Sequence, residues 1–580
     1  MFVRSRRRKH GQQVYEYLDI VENRKVQGKV VRTTLGSLGR RDQLSPQKID
    51  GLIEHLRKLA SPEGRRGLRL GEVRIRRVLE YGPVLVARRL WEELGLDRLL
   101  ADMPQPVAID LEEAVFRMVA NRLCQPRSKL GLVDWTDDHG VLHRGWQGQV
   151  EWPSGKGEFD YHHYLRAMDA VHPHRQQIEE HVFERVTEIF SLPLNLVLYD
   201  LTSSYFEGDG ACELAEFGMS RDHREDRRQL VLGMAVTQEG LPIMQRLFPG
   251  NTADVTTLAP VAKELKERFG LSQPVLVADR GMFSDHNVEQ LEGSGFRYVL
   301  ALRNRSDKEG QEAVALALKQ GLPRAKGPQA LALEATGGKA DYRFQEVQVE
   351  GVRHLVVSSP FKALHDFEVR ERRLERARDA LAGLREQATK RKLGKEYLIQ
   401  RATRILVENK AAQYFNYVAD KGSFIFWLRR DVYRQQRRHD GLFVLRTNHP
   451  ELGPREILDA YLQLQEIERC FRVIKSVVKV RPMYHHRQRR VEAHVFLTQL
   501  AFLLAKCLER KLRQAGQQGS IAWALEHLSH LRAVEHTWED EAIVAQATEV
   551  STDVQAILKA VGIRIGNPVL RVSKTPSAVA

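Results

Sequence analysis

The chain has 580 residues, 42% of them hydrophobic and 28% charged, which is a globular composition too large for one ordinary core, so roughly three or four structural units are expected. A formal charge of +15 and a pI near 9.6 favour a polyanionic partner, nucleic acid first, because each Lys or Arg that meets a phosphate releases counterions. No uninterrupted apolar run approaches the ~20 residues that span a bilayer. The basic start MFVRSRRRKH leads into polar residues rather than a secretion signal, and Cys124, Cys212, Cys470 and Cys507 lie too far apart for a zinc site or a disulfide framework. These features predict a cytoplasmic, nucleoid-associated protein with no membrane partner.

In chain order, residues 1–68 form a basic, β-rich segment, since VYEYLDIVENRKVQGKVVRTTLGSLG alternates apolar and polar residues around turns. Residues 69–190 change to helical periodicity, clearest in VLVARRLWEELGLDRLL and LEEAVFRMVANRLCQ, and are read as a mainly helical DNA-binding region. Residues 191–304 then carry an apolar strand LNLVLYDLTSSYF and a hairpin of RRQLVLGMAVT and LPIMQRLFPG across a short QEG turn. A helix capped by Asp254, a buried strand QPVLVADRG, a helix SDHNVEQLEGSG and a strand RYVLALR complete the stretch. Three antiparallel strands followed by alternating helices and strands predict an α/β fold with a ribonuclease H-like mixed sheet. Residues 305–440 break this rhythm with a charged helix and β-like segments ending in SFIFWLRRDVY, and read as an α+β insertion domain. The core resumes over 441–510 with GLFVLRTNHP and a long helix from about 454 to 478. Residues 511–580 are a C-terminal helical region with a loose tail.

Asp200 ends LVLYD and Asp279 ends VLVAD, so each apolar strand presents a carboxylate where open α/β sheets place ligands. Either aspartate alone is more often a cap; the pair in this strand order gives the reading its weight. Two-metal phosphoryl chemistry needs a third hard oxygen ligand. The helix YLQLQEIERCFRVIKS offers Glu466 and Glu468, and of these Glu468 shares a sevenfold spacing with Tyr461 and Lys475, which lines all three along one helical face. From spacing alone, a surface carboxylate paired with Arg472 or Lys475 remains open for Glu468. Downstream, RPMYHHRQRRVEAH sets Arg481, His485 and Arg487 around Tyr484, a pattern suited to tracking a phosphate backbone; with no cysteine nearby, a histidine metal site is disfavoured.

The strand Asp, second strand Asp and late helical Glu resemble the DDE triad of bacterial insertion-sequence transposases. The helix resembles the YREK signature of one group of them, with Tyr461, Glu468 and Lys475 in register and Leu464 where the signature has Arg. Arg472 or Arg469 could supply the missing phosphate contact. FGMSRDHREDRRQLVLGMAV, FPGNTADVTTL and RPMYHHRQRRVEAH are similar to blocks of the same group, so the resemblance covers about residues 195–505 well. It implies Asp200, Asp279 and Glu468 as ligands of Mg²⁺, with Mn²⁺ able to substitute, and a homodimer that cuts and joins DNA at the terminal inverted repeats of its element and in target DNA. It also implies a long insertion between Asp279 and Glu468, and a hairpin route in which an insertion aromatic stacks on a flipped base. Trp427 in FIFWL is the candidate, although a Trp in an apolar strand is more often core. A nuclease or resolvase on the same fold, and a basic non-catalytic DNA-binding protein, are the competing readings.

Overall fold

The computed structural model describes residues 2–10, 13–26, 29–40, 73–104, 106, 109–138, 159–192, 194–208, 210, 212–271, 274–302, 307–323, 342–538, 542–564 and 569–574. Three long strands come first, β1 (Phe2–His10), β2 (Gln13–Val26) and β3 (Lys29–Arg40), paired antiparallel in that order as the alternating pattern requires. The stretch expected to be helical opens instead on a strand, β4 (Val73–Glu80). Helices α1 (Gly82–Glu93), α2 (Leu96–Ala101), α3 (Leu111–Cys124), α4 (Gly131–Asp138), α5 (Tyr161–Val171) and α6 (Arg175–Phe190) follow. Asp110 and Asp160 cap α3 and α5 by accepting the backbone N–H of Glu113 and His163.

Next come β5 (Leu196–Tyr205), the hairpin β6 (Gln229–Thr237) and β7 (Pro242–Pro249), then α7 (Leu258–Phe269), β8 (Val275–Ala278), α8 (Asp285–Gly293), β9 (Arg297–Leu302) and α9 (Lys308–Lys319). Asp254 does not cap α7 through its side chain. It opens a 3₁₀ turn, and its backbone carbonyl accepts the N–H and hydroxyl of Thr257. β10 (Arg343–Val349) and β11 (Val352–Ser358) precede a 32-residue helix α10 (Pro360–Arg391), α11 (Lys395–Glu408), the hairpin β12 (Phe415–Asp420) and β13 (Ser423–Leu428), and α12 (Arg430–Arg437). β14 (Leu442–Thr447) then leads to α13 (Pro454–Leu462) and α14 (Leu464–Ser476). The single long helix expected here is thus two helices that meet at Gln463. The chain ends with α15 (Gln488–Gln514), α16 (Ile521–Leu528), β15 (Arg532–Trp538), β16 (Ala542–Ala547), α17 (Thr552–Ala560) and β17 (Val569–Lys574).

An eight-stranded mixed sheet has the order β10-β11-β14-β9-β8-β5-β6-β7. Its β7-β6-β5-β8-β9 portion, a meander extended on the far side by strands parallel to β5, is the ribonuclease H-like arrangement expected from the strand order. The chain divides into two compact units, one of Met1–Leu192, Leu201–Thr252 and Glu468–Ala580, the other of Pro193–Asp200 and Ala253–Ile467, and β5 runs through both.

In the first unit, β4 pairs with β15 across more than four hundred residues in a four-stranded sheet β17-β16-β15-β4. Part of the tail read as loose is therefore ordered strand: Val569–Lys574 pairs with β16, while the residues after Lys574 lie outside the described set. Helix α15 is buried on nearly every side from Val491 to Leu508, against α1, α3, α5 and β7, and each buried Leu or Phe there contributes about 1.5–3 kcal/mol. By length and composition this helix could cross a membrane, which a search for uninterrupted apolar runs misses because His494, Gln499 and Lys506 punctuate it; its apolar window is 94% buried within the protein.

In the second unit, Leu442 and Val444 of β14 pack with Ala313, Val314 and Ala317 of α9, while Phe443, on the opposite face by strand alternation, packs on Tyr461 of α13 with ring centroids 5.6 Å apart. The sheet is therefore covered on both faces. β10 and β11, which fall in the stretch read as insertion, belong to this sheet, and after β11 the chain departs from it at Ser359 and returns at Gly441. Those two residues sit side by side: Ser359 N–H donates to the Gly441 carbonyl at 2.9 Å, and a Cβ on Gly441 (φ +76°) would stand 2.7 Å from the Ser359 oxygen. Arg370 clamps this root with paired hydrogen bonds of 2.6 and 2.7 Å to Asp440. Beyond the root, Leu374, Leu381, Leu384, Leu398, Phe415 and Phe424 give α10, α11 and the β12–β13 hairpin a core of their own.

Candidate active site and nucleic-acid interface

The second unit holds both strand aspartates. β5 and β8 are parallel, with Leu196, Val197 and Leu198 opposite Val275, Leu276 and Val277. Two residues further, that register sets Asp200 level with Asp279. Residues paired across a parallel ladder point to the same face, and neighbouring strands run about 4.8 Å apart. The apolar runs are what fix this, because Val197, Leu198, Tyr199, Leu276, Val277 and Ala278 are wholly buried and hold the register; Asp279, half-buried, emerges at the carboxyl end of β8, whereas Asp200, also half-buried, lies midway along β5, which runs on to Tyr205 instead of ending at the aspartate as the sequence pattern suggested.

Tyr461 joins them from α13. Its hydroxyl donates to Asp279 Oδ1 at 3.3 Å while its ring stays on Phe443. The turn after Asp279 is tied down by Asn287, 2% exposed at the start of α8, whose side-chain amide donates to the carbonyls of Val255 (2.6 Å) and Met282 (2.8 Å). A Cβ on Gly281 would lie 3.1 Å from Asp254 Oδ2, so a further carboxylate stands against this turn. Sequence reasoning assigned Asp254 to a helix cap and missed Asn287 altogether; neither spacing nor periodicity signals a buried amide that stitches two turns.

The first unit holds Glu468 and Lys475, two turns apart on one face of α14. Glu468 is exposed and makes no hydrogen bond or ion pair with another described residue, so the pairing with Arg472 or Lys475 left open by the spacing is not made. Lys475 pairs with Asp222 instead, Nζ to Oδ1 at 2.8 Å, and Arg481 approaches the other carboxylate oxygen at 3.5 Å. The Arg481 guanidinium lies 4.4 Å over the ring of Tyr205, at the end of β5, and Arg224 is 5.1 Å from the same ring. Arg472 is exposed on α14, and Arg487 is exposed at the N-cap of α15. His485 is partly buried, with its ring 5.2 Å from that of His494.

Trp427, in the second unit, is not core. Alternation along β13 turns Phe424, Phe426 and Leu428 inward, and Trp427 lies 46% exposed on the outer face with Ile425 and Val418. Among the described residues, no group of three or more His, Cys, Asp or Glu side chains is gathered to hold a metal ion. What the described geometry brings together is Asp200, Asp279 and Tyr461.

The family model for the transposase DDE domain matches residues 196–504, the span from β5 to α15. The chain belongs to the DDE transposase family. A second match, over residues 3–66, is to the N-terminal domain of IS1634 family transposases, so the transposase is of the insertion-sequence kind. No curated protein matches it. Among solved structures, a cryo-EM synaptic complex of the piggyBac transposase with hairpin DNA aligns with 78% of this chain and 80% of its own, at 10% identity and a TM-score of 0.35, too low to carry any argument. The transposase is a DNA-acting enzyme that transposes an insertion sequence, and its family works with divalent metal ions on the DNA ends of its element.

Proposed function

We propose that Asp200, Asp279 and Glu468 are the catalytic carboxylates of this transposase, and that they hold Mg²⁺, or Mn²⁺ in its place, for two-metal cleavage of DNA at the terminal inverted repeats and strand transfer into target DNA. The observation that carries this reading is the level register of Asp200, midway along β5, and Asp279, just past the end of β8, on two parallel strands with buried apolar runs. Two same-face carboxylates a strand apart suit a hard cation that prefers oxygen donors. Glu468, exposed, without a hydrogen bond or ion pair to another described residue and seven residues in sequence from both Tyr461 and Lys475, is the third.

Bound divalent cations would lower the pKa of the attacking water and stabilise the leaving oxygen. The protein's own groups do the rest. The Tyr461 hydroxyl, donating to Asp279 Oδ1, fixes one carboxylate orientation and leaves the second oxygen for the cation. Asn287 holds the turn that follows Asp279. Lys475 and Arg481 meet backbone phosphates by exchanging Asp222 for the DNA, while Arg472 and Arg487, already exposed, and His485 extend the track. Trp427 on the outer face of its hairpin is free to stack on a base. No covalent enzyme intermediate is needed, because the 3′-hydroxyl freed at the element end attacks the target strand directly. Two copies bridge the paired ends as a homodimer in the cytoplasm, at the nucleoid.

The test is cleavage of DNA carrying the element's ends, with and without Mg²⁺, by wild type and by Asp200→Asn, Asp279→Asn and Glu468→Gln. All three substitutions should abolish metal-dependent cleavage while duplex binding survives. Persistent cleavage by Glu468→Gln would remove α14 from the active site.

A further inference from the structure

Four basic side chains that the mechanism does not use as a group converge in the first unit. Arg122 comes from the last turn of α3, Lys129 from the segment before α4, His485 from the segment after α14, and His494 from α15. Arg122 Nη1 donates to the Lys479 carbonyl at 2.5 Å and its Nη2 lies 3.3 Å from His494 Nε2, which is 2.9 Å from the Val480 carbonyl. His485 packs on His494 edge to face. Arg122 and His494 are each 3% exposed and Lys129 6%.

Among the described residues, no anion pairs with the cluster. Lys129 makes no hydrogen bond or ion pair with a described residue, and Arg122 Nε and His494 Nδ1 are buried without partners. Burial acts first on the lysine and the two histidines, and the side chains that add to it are all basic, among them Arg122, Lys129 and Arg490. Burial, reinforced by those charges, holds Lys129 well below the usual lysine range, pushes His494 far down and brings His485 to about 3. Burial alone lowers Arg122 to about 10.

Burying basic groups without a counter-charge is costly, because each must be desolvated or give up its proton, and a core that needed only volume here would be better served by Met or Leu. We propose that Arg122, Lys129 and His485, backed by His494, form an anion site for one backbone phosphate of bound DNA. A phosphodiester supplies the missing charge and acceptor oxygens for Lys129 and for Arg122 Nε, and it would let Lys129 carry its proton. The surface around the site suits a strand of DNA, with Tyr484 and Leu130 strongly exposed and Arg487 at the α15 N-cap. The proposal rests on the chain acting on DNA, and it adds a contact outside the proposed carboxylate centre.

The experiment is anisotropy of a labelled element-end duplex, and of an unrelated duplex of equal length, across a salt series with the full chain. Wild type is compared with Lys129→Met and His485→Gln, and the melting of each protein is followed without DNA, with and without inorganic phosphate. Lys129→Met should weaken both duplexes about tenfold and flatten the plot of log affinity against log salt by about one unit, since the phosphate is read without sequence. Its melting temperature should match or exceed the wild type, because an unpaired buried amine is gone. His485→Gln should weaken both duplexes in the same sense. Unchanged affinity and salt slope in both variants overturns the site. Phosphate that stabilises wild type but not Lys129→Met, with duplex binding intact, would assign the cluster to free phosphate and overturn the DNA contact. A wild-type chain that binds neither duplex would bring down the DNA-acting reading and this site with it.

Discussion

Asn287→Leu isolates the support of Asp279 from its chemistry. The side chain is buried, leucine nearly matches its shape, and the change leaves the Val255 and Met282 carbonyls without the amide that now serves both at 2.6 and 2.8 Å. An acceptor stranded by loss of its partner costs about 1–3 kcal/mol, and because water can reach part of these turns the pair should cost about 2–4 kcal/mol. For a unit of this size that lowers the melting temperature by roughly 5–15 °C. The effect on function should exceed the effect on folding. Loosening the turn after Asp279 misplaces one carboxylate of a level pair, and an ångström of misplacement costs about 10²-fold in rate. Thermal melting followed by circular dichroism gives the first quantity. Element-end cleavage per folded molecule, measured well below both melting points, gives the second and should fall by about 10–100-fold. A variant that melts early yet cleaves at the wild-type rate would show that the turn does not set Asp279, and one that melts normally would show that the two hydrogen bonds contribute nothing net.

Tyr461→Phe removes a single long hydrogen bond while the ring stays on Phe443, so stability should change by less than about 1 kcal/mol. Its Mg²⁺ titration of cleavage should shift to higher concentration with a rate about 3–10-fold lower, and a titration that overlays wild type would detach Tyr461 from the site. Asp222→Asn strips Lys475 and Arg481 of their carboxylate at nearly constant shape; duplex affinity should rise several-fold and the salt slope steepen by up to about one unit, whereas no change in slope would mean these cations do not reach DNA. Burial would raise the Glu309 carboxyl, but hydrogen bonds from His354 and the Arg446 guanidinium hold it below its usual 4.5. Its contribution to stability is thus present above pH 4.5 and lost as acid protonates the folded form, so Glu309→Gln should be less stable than wild type at neutral pH and lose less on acidification to pH 3. Parallel acid melts of the two proteins would count against that ion pair.

Local pattern carried much of this protein. Apolar runs ending in charge located β5 and β8 and put Asp279 at the end of its strand, although β5 runs on past Asp200 to Tyr205, and the order of strands and helices was enough for a ribonuclease H-like sheet. Sevenfold spacing found the helical segment with Tyr461, Glu468 and Lys475, because side-chain periodicity is a property of the backbone itself. Everything that depended on a distant partner needed the tertiary structure. Periodicity runs unbroken through Gln463, where the chain in fact divides α13 from α14. The strand β4 makes sense only beside β15, more than four hundred residues away. Lys475 looked available to DNA or to Glu468, and it is Asp222, 253 residues earlier, that holds it. Trp427 was open in sequence between a base-stacking aromatic and a core residue, and its exposure was settled only when Phe424 and its neighbours packed the other face of its strand. Sequence spacing says which residues share a face, but which face meets the protein and which meets water is decided by contacts between segments far apart in the chain, and those are set only when the core closes.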